Sequence, residues 1–138
     1  MLTIVSRNAA IKGLVEHAIR VNDMDTMLAF YRDIVGLEVF ADERPLLVFL
    51  RIADGVEGHP QLFALFDRET EVAQPMTTLD HFAFAIDLAD YASEKQRLES
   101  LGAGVATREF PVFHWRSLFF YDPEGNLVEF VAYDPSVG

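Results

Sequence analysis

Two βαβββ modules of the α+β class, their curved mixed sheets forming a cup with the helices on the outside, are what this 138-residue chain predicts. Three observations carry that expectation. Each half shows a strand pattern followed by a helical apolar stripe that a glycine closes. Matching residues recur at one offset: Asp25 and Asp90, Ile19 and Phe84, and Val21 and Ile86 are each 65 apart, while Gly36 and Gly102 are 66 apart. A near-constant offset of about half the length marks a duplicated unit. Finally, Tyr121–Phe130 (YDPEGNLVEF) places turn residues between two apolar runs, the signature of a hairpin. Neither module, with one helix and about four strands, covers both faces of its own sheet.

In the first half, Leu14–Val21 alternates as a strand, with Val15, Ile19 and Val21 on one side. Asn22-Asp23-Met24-Asp25 is a helix start, its carboxylates suited to capping and to the dipole. Met24, Met27, Leu28, Tyr31, Ile34 and Val35 follow as the helical stripe, and Gly36 ends it. Leu37–Phe40, Pro45–Ile52 and Gln61–Phe66 read as strands, with a glycine-containing turn over Asp54–Pro60. Module one thus spans about 14–68, a polar linker about 69–77, and module two about 78–134. The second half repeats the order, with a strand at Leu79–Ile86 and a helix at Ala89–Leu101. Strands at Val105–Thr107, Arg116–Tyr121 and Leu127–Val131 complete it.

Hydrophobic residues make up 51% of the chain and include twelve Phe, enough for one well-packed domain. No apolar run reaches membrane-spanning length, and the N-terminal MLTIVSRNAAIKGL lacks the pattern of a signal peptide. With zero cysteines there are no disulfides and no thiolate ligands, which is compatible with a cytoplasmic home. A net charge of -11 argues against a nucleic-acid partner, which calls for a basic face. The expected partner is a small molecule.

Glu129 stands out as one carboxylate inside an apolar strand, where it needs a partner, a proton or a metal. His81 lies on the first strand of the second half. It shares a face with the small Ala83 and Ala85, while Phe82, Phe84 and Ile86 take the other face. The offset of 65 makes Glu16 the counterpart of His81, and Ala64 the counterpart of Glu129. Strand alternation turns Glu16, Ala18 and Arg20 into the cup and His17 away from it, unless a bulge reverses the register. His59 and Gln61 open the last strand of module one, and His114 and Arg116 flank Trp115 before the final hairpin. These residues and Arg20 are candidates for binding a substrate, against the alternative of ordinary turn and strand positions. Asp80 is expected to cap or orient local backbone.

The segments HAIRVNDMDTMLAFYRDIVGL, LDHFAFAI and YDPEGNLVEF resemble the vicinal oxygen chelate superfamily, which includes glyoxalase I, extradiol dioxygenases, epimerases and antibiotic-resistance proteins. The resemblance runs from about Leu14 to Tyr133 and is specific for the fold rather than the reaction. It implies a divalent metal (Fe, Mn, Ni, Co or Zn) held in the cup by residues of the first and last strands of each module. Carried over, the ligands are Glu16, His81 and Glu129, with Glu129 doubling as general base. If the first strand is bulged, His17 replaces Glu16 and the set becomes the two-histidine, one-carboxylate triad of non-haem iron oxygenases. Ala64 departs from the family's four-ligand pattern. The resemblance implies a homodimer, in some members with exchanged modules. Two functions stand side by side: a metal-dependent lyase, isomerase or ring-cleaving dioxygenase, and a metal-free binding protein of the resistance or sequestration type.

Overall fold

The computed structural model describes residues 10–56, 58–68 and 79–138. Its elements in chain order are β1 (Glu16–Val21), α1 (Met24–Ala29), β2 (Glu38–Glu43), β3 (Leu47–Val56), β4 (His59–Asp67), β5 (His81–Ala85), α2 (Tyr91–Ser100), β6 (Ala106–Phe110), β7 (Trp115–Tyr121) and β8 (Leu127–Tyr133). The expected linker, about 69–77, lies outside the described residues.

The strands form two four-stranded sheets of identical order, β1-β4-β3-β2 and β5-β8-β7-β6. In each, the first strand runs parallel to the last and the others pair antiparallel. The helix that follows the first strand supplies the crossover that parallel pairing demands. This is the α+β fold of two βαβββ modules. The repeat offset survives in three dimensions: Ala18 pairs with Ala64 in one sheet, and Ala83 pairs with Glu129 in the other.

Local chemistry explains where the elements begin and end. Asp23 caps α1 by accepting from the Thr26 N–H at 3.1 Å. The helix continues as a wider π-type turn over Phe30–Val35 and stops at Gly36, which adopts a left-handed φ of 93°. β3 runs further than the sequence pattern indicates, through Asp54 and Gly55, so the turn into β4 is tighter. Gly55 makes this possible: a Cβ there would lie 2.4 Å from the His59 carbonyl oxygen. β6 also extends beyond Thr107, because Arg108, Glu109 and Phe110 find ladder partners on β7.

The helix-bearing faces of the two sheets meet in one core. Phe63 of β4 lies 5.2 Å from Phe82 of β5, ring to ring, and Tyr31 lies 4.6 Å from Phe63. Leu118, Phe120, Val128 and Phe130 complete the core from β7 and β8. The β7–β8 turn is tied to module one as well. Asp122 is buried; it accepts from the Glu124 and Asn126 N–H groups at 2.9 Å and from the Tyr31 hydroxyl at 2.6 Å. Glu124 accepts from the backbone N–H groups of Asn22 and Asp23. The alternate residues of β5 and β8, starting at His81 and Leu127, therefore face away from the core. Among the described residues no helix is long and apolar enough to cross a membrane.

Candidate functional site

Alternation along β8 sends Val128, Phe130 and Ala132 into the core and leaves Leu127 and Glu129 on the concave face. β5 does the same, burying Phe82 and Phe84 partly and leaving His81, Ala83 and Ala85 exposed. The two strands are parallel and adjacent, so His81 and Glu129 come together. Nε2 of His81 lies 3.1 Å from Oε1 of Glu129. Glu129 is only 4% exposed, and its second oxygen accepts from the Ser117 hydroxyl at 2.6 Å. Nδ1 of His81 is 2.6 Å from Oδ2 of Asp80. A continuous polar chain, Asp80–His81–Glu129–Ser117, thus runs from exposed Asp80 to buried Glu129 and Ser117.

This chain has the form of a metal-ligand pair with its supports. A carboxylate on the far nitrogen fixes a ligating imidazole's tautomer and orientation, and Asp80 occupies that place. Metal–nitrogen and metal–oxygen bonds of about 2.0–2.2 Å put neighbouring donors on one ion about 3.0–3.4 Å apart, and the His81–Glu129 separation fits. The hydrogen bond that His81 donates to Asp80 is the main reason its imidazole titrates above its ordinary range. Burial opposes this, and the Glu129 carboxylate adds to it. The fit extends to two donors only, since no group of three His, Asp or Glu side chains comes together among the described residues.

The pair opens into a cavity of about 570 Å³ on the concave face of the second sheet. Its lining comes from module two: Phe110, Phe119 and Tyr121 join His81 and Glu129, and Arg108 stands on β6. Glu16 does not line this cavity. It is exposed on β1, paired with Leu62 as His81 is paired with Leu127, so it holds the equivalent place on module one's own sheet. His17 points the other way, its ring 5.7 Å from Phe63 and 5.3 Å from Phe82, and β1 is regular through both residues. Arg20 donates to the Asp67 carbonyl at 3.3 Å.

The remaining candidates are not brought to the cavity, each for a local reason. Arg116 lies on the helix-bearing face of β7, ion-paired with Asp134 and Glu109 and seated over the Tyr91 ring. Gln61 alternates with Phe63 onto the core side of β4 and donates to the Leu14 carbonyl. His114 takes a left-handed φ of 57° and is tied through Nδ1 to the Val137 carbonyl at 2.6 Å. His59 is exposed at the start of β4. Three residues around the pair take places that the sequence pattern does not give. Asp80 grips the His81 ring rather than backbone. Ser117 is reachable from the pattern only by knowing that β7 and β8 pair so that its hydroxyl meets Glu129. Arg108 lies beyond the strand pattern, which ends at Thr107, and reaches the cavity because β6 continues to Phe110.

A family model described as the Glyoxalase/Bleomycin resistance protein/Dioxygenase superfamily matches residues 13–130. A lactoylglutathione lyase of Haemophilus influenzae is 26% identical over 120 residues, 82% of this chain and 87% of its own. The crystal structure of a lactoylglutathione lyase from Agrobacterium tumefaciens superposes with a TM-score of 0.72 at 29% identity, covering 90% of this chain and 96% of that one. A variant of the fosfomycin resistance protein FosX of Listeria monocytogenes, complexed with Mn(II) and 1S,2S-dihydroxypropylphosphonic acid, gives a TM-score of 0.66 at 24% identity over 88% of this chain and 90% of its own. That last likeness concerns the fold.

Proposed function

Since the chain belongs to the glyoxalase/bleomycin resistance protein/dioxygenase superfamily, we propose that it is a metal-dependent enzyme acting on a small, oxygen-bearing substrate at His81 and Glu129. The observation that carries this reading is the 3.1 Å approach of a histidine nitrogen to a buried carboxylate, with both residues braced on their far sides by Asp80 and Ser117. A divalent ion (Fe, Mn, Ni, Co or Zn) held by His81 and Glu129 would supply Lewis acidity toward the substrate's oxygens. The protein's own residues do the rest. Asp80 holds His81 in one tautomer. Ser117 holds Oε2 of Glu129 and so fixes the plane of the carboxylate, which doubles as the general base for a substrate proton. The Phe119 ring, 6.0 Å from the His81 ring, keeps that corner apolar. Similarity to lactoylglutathione lyases favours lyase or isomerase chemistry over ring cleavage.

The third donor in this reading is Glu16, contributed by module one of a second copy, and the protein acts as a homodimer. Support comes from Glu16 being the register counterpart of His81 while lying outside its own chain's cavity. A cytoplasmic setting, in keeping with zero cysteines, belongs to the same proposal. A second reading, a sequestering protein without chemistry, is favoured by one feature: Ala64 stands where Glu129 has its counterpart, and it ligates nothing.

Elemental analysis of purified protein, followed by calorimetric titration with Mn, Ni, Co and Zn, tests the enzyme. The expected result is one site per chain that Glu129→Ala or His81→Ala abolishes and Glu16→Ala weakens. Absence of any metal site in the wild type would overturn it. Turnover that survives Glu129→Ala would remove that residue's role as base.

A further inference from the structure

We infer that the module-two cavity takes a planar aromatic acid, its ring against the aromatic wall and its carboxylate on Arg108. The orientation of such a ligand, oxygens toward His81 and Glu129 at the opposite end, rests on the proposed metal-site reading; the ring and carboxylate contacts do not.

The wall is unusually aromatic. Phe113 and Trp115 are stacked at 4.7 Å between ring centres, Phe110 and Phe119 lie 6.4 Å apart, and Tyr121 completes the surface. Phe113, Trp115 and Tyr121 are 55%, 38% and 65% exposed, so part of each side chain is open to a ligand. Flat rings reward a flat apolar partner through offset stacking and edge contacts.

Charge is divided along the cavity. Asp80, His81 and Glu129 gather at one end, and Arg108 is the only Lys or Arg among the described lining residues. In a chain with a net charge of -11, most cations find acidic partners. Arg116 on the neighbouring strand has two, Glu109 and Asp134, but Arg108 has neither an ion pair nor a hydrogen bond among the described residues. Its guanidinium lies over the Phe110 ring at 5.1 Å from the ring centre. That contact places the group beside the aromatic wall while leaving its N–H fork without a partner among the described residues, and the fork matches a carboxylate's two oxygens.

Sheet register sets the span. Arg108 pairs with Ser117, and Glu129 pairs with Phe119, two residues further along β7. Two strand spacings separate β6 from β8, about 10 Å between backbones. Both side chains reach into the bowl and shorten that span; Ser117 and Phe119 lie between them on β7, with Trp115 beside Phe110 at the next same-face position beyond Ser117. A rigid ring with a carboxylate at one end and oxygens at the other suits this arrangement. A neutral aromatic leaves Arg108 unmatched, an aliphatic acid leaves the rings unmatched, and a cation meets Arg108 as a like charge.

The test compares 3,4-dihydroxybenzoate with neutral 1,2-dihydroxybenzene by calorimetry, with and without added Mn(II). Trp115 is the single tryptophan, so its one indole N–H signal in a nitrogen–proton spectrum reports contact with the wall. The acid is expected to bind about tenfold more tightly than the neutral compound and to shift the indole signal, one charge-assisted hydrogen bond being worth about that factor. Arg108→Gln should erase the preference and Arg108→Lys should keep part of it. Equal affinities, a preference that Arg108→Gln leaves intact, or an unmoved indole signal would each overturn the inference. The wild-type comparison decides even if a variant fails to fold. Failure of the metal reading looks different: no Mn(II) binding, with the Arg108-dependent preference still present, removes the metal and leaves the aromatic-acid site standing.

Discussion

Tyr31→Phe isolates the contact that fastens the site-bearing hairpin to module one. The Tyr31 ring is fully buried and packs against Phe63 and Phe30, and phenylalanine preserves those contacts. What disappears is the hydroxyl, which donates to Asp122 Oδ2 at 2.6 Å. Burial and the nearby Asp122 carboxylate push the phenol far above its usual range, so it is a donor at every working pH. After the substitution, Oδ2 of a residue that is 5% exposed keeps only the Asn126 amide. Losing a hydrogen bond to a charged group typically costs about 1.5–3 kcal/mol, so about 2 kcal/mol is expected here. For a domain of this size that corresponds to a melting temperature lower by about 6–8 °C. Urea unfolding followed by Trp115 fluorescence and circular dichroism measures it, with an unchanged m-value expected. A cost below about 0.5 kcal/mol would refute the argument, because the hydroxyl would then contribute no net stability over its hydration. Combining it with Asp122→Asn in a double-mutant cycle should show strong coupling.

Other perturbations address the site. His17 has a buried Nε2 with no partner among the described residues and sits between two phenylalanine rings. His17→Phe should therefore be neutral or raise stability by about 1 kcal/mol in thermal unfolding, with metal affinity unchanged. Loss of metal binding in this variant would instead make His17 a ligand. Asp80→Asn should reduce metal affinity at neutral pH by about tenfold, as expected for loosening the support of a ligating imidazole. The pH dependence has a definite sign. A protonated imidazole does not ligate, and Asp80 is the main cause of the raised His81 pKa, so wild-type metal binding falls off as pH drops through that raised value. In Asp80→Asn the fall should move to lower pH; calorimetry across the acid range reads this, and an unmoved profile would count against the Asp80 contact.

Much of the fold was legible along the chain because its signals are local. Apolar alternation, helical stripes closed by Gly36 and Gly102, and the Asp122–Asn126 turn depend on backbone geometry and on burial of one face. Their repetition at a constant offset gave the modules the same strand order. The direction of Glu129 and His81 followed from the same alternation, since a period of two leaves each strand residue one of two faces. Element ends were harder, because the length of β3 and β6 depends on partners across the sheet rather than on their own residues.

Pairwise placement between strands needed the folded chain. Ser117 and Glu129 are twelve residues apart, and only the β7–β8 register brings hydroxyl and carboxylate to 2.6 Å. His114 and Arg116 looked like a ligand-binding pair beside Trp115, yet a left-handed residue and strand alternation send them to different surroundings. Glu16 shows the division most clearly. Its face of β1 was determined by the sequence alone, through the period of the pleat. That this face does not line the cavity of its own chain was decided by tertiary packing: the aromatic faces of both modules are the most apolar surfaces available, and burying them against each other turns the concave face bearing His81 and Glu129 away from the shared core.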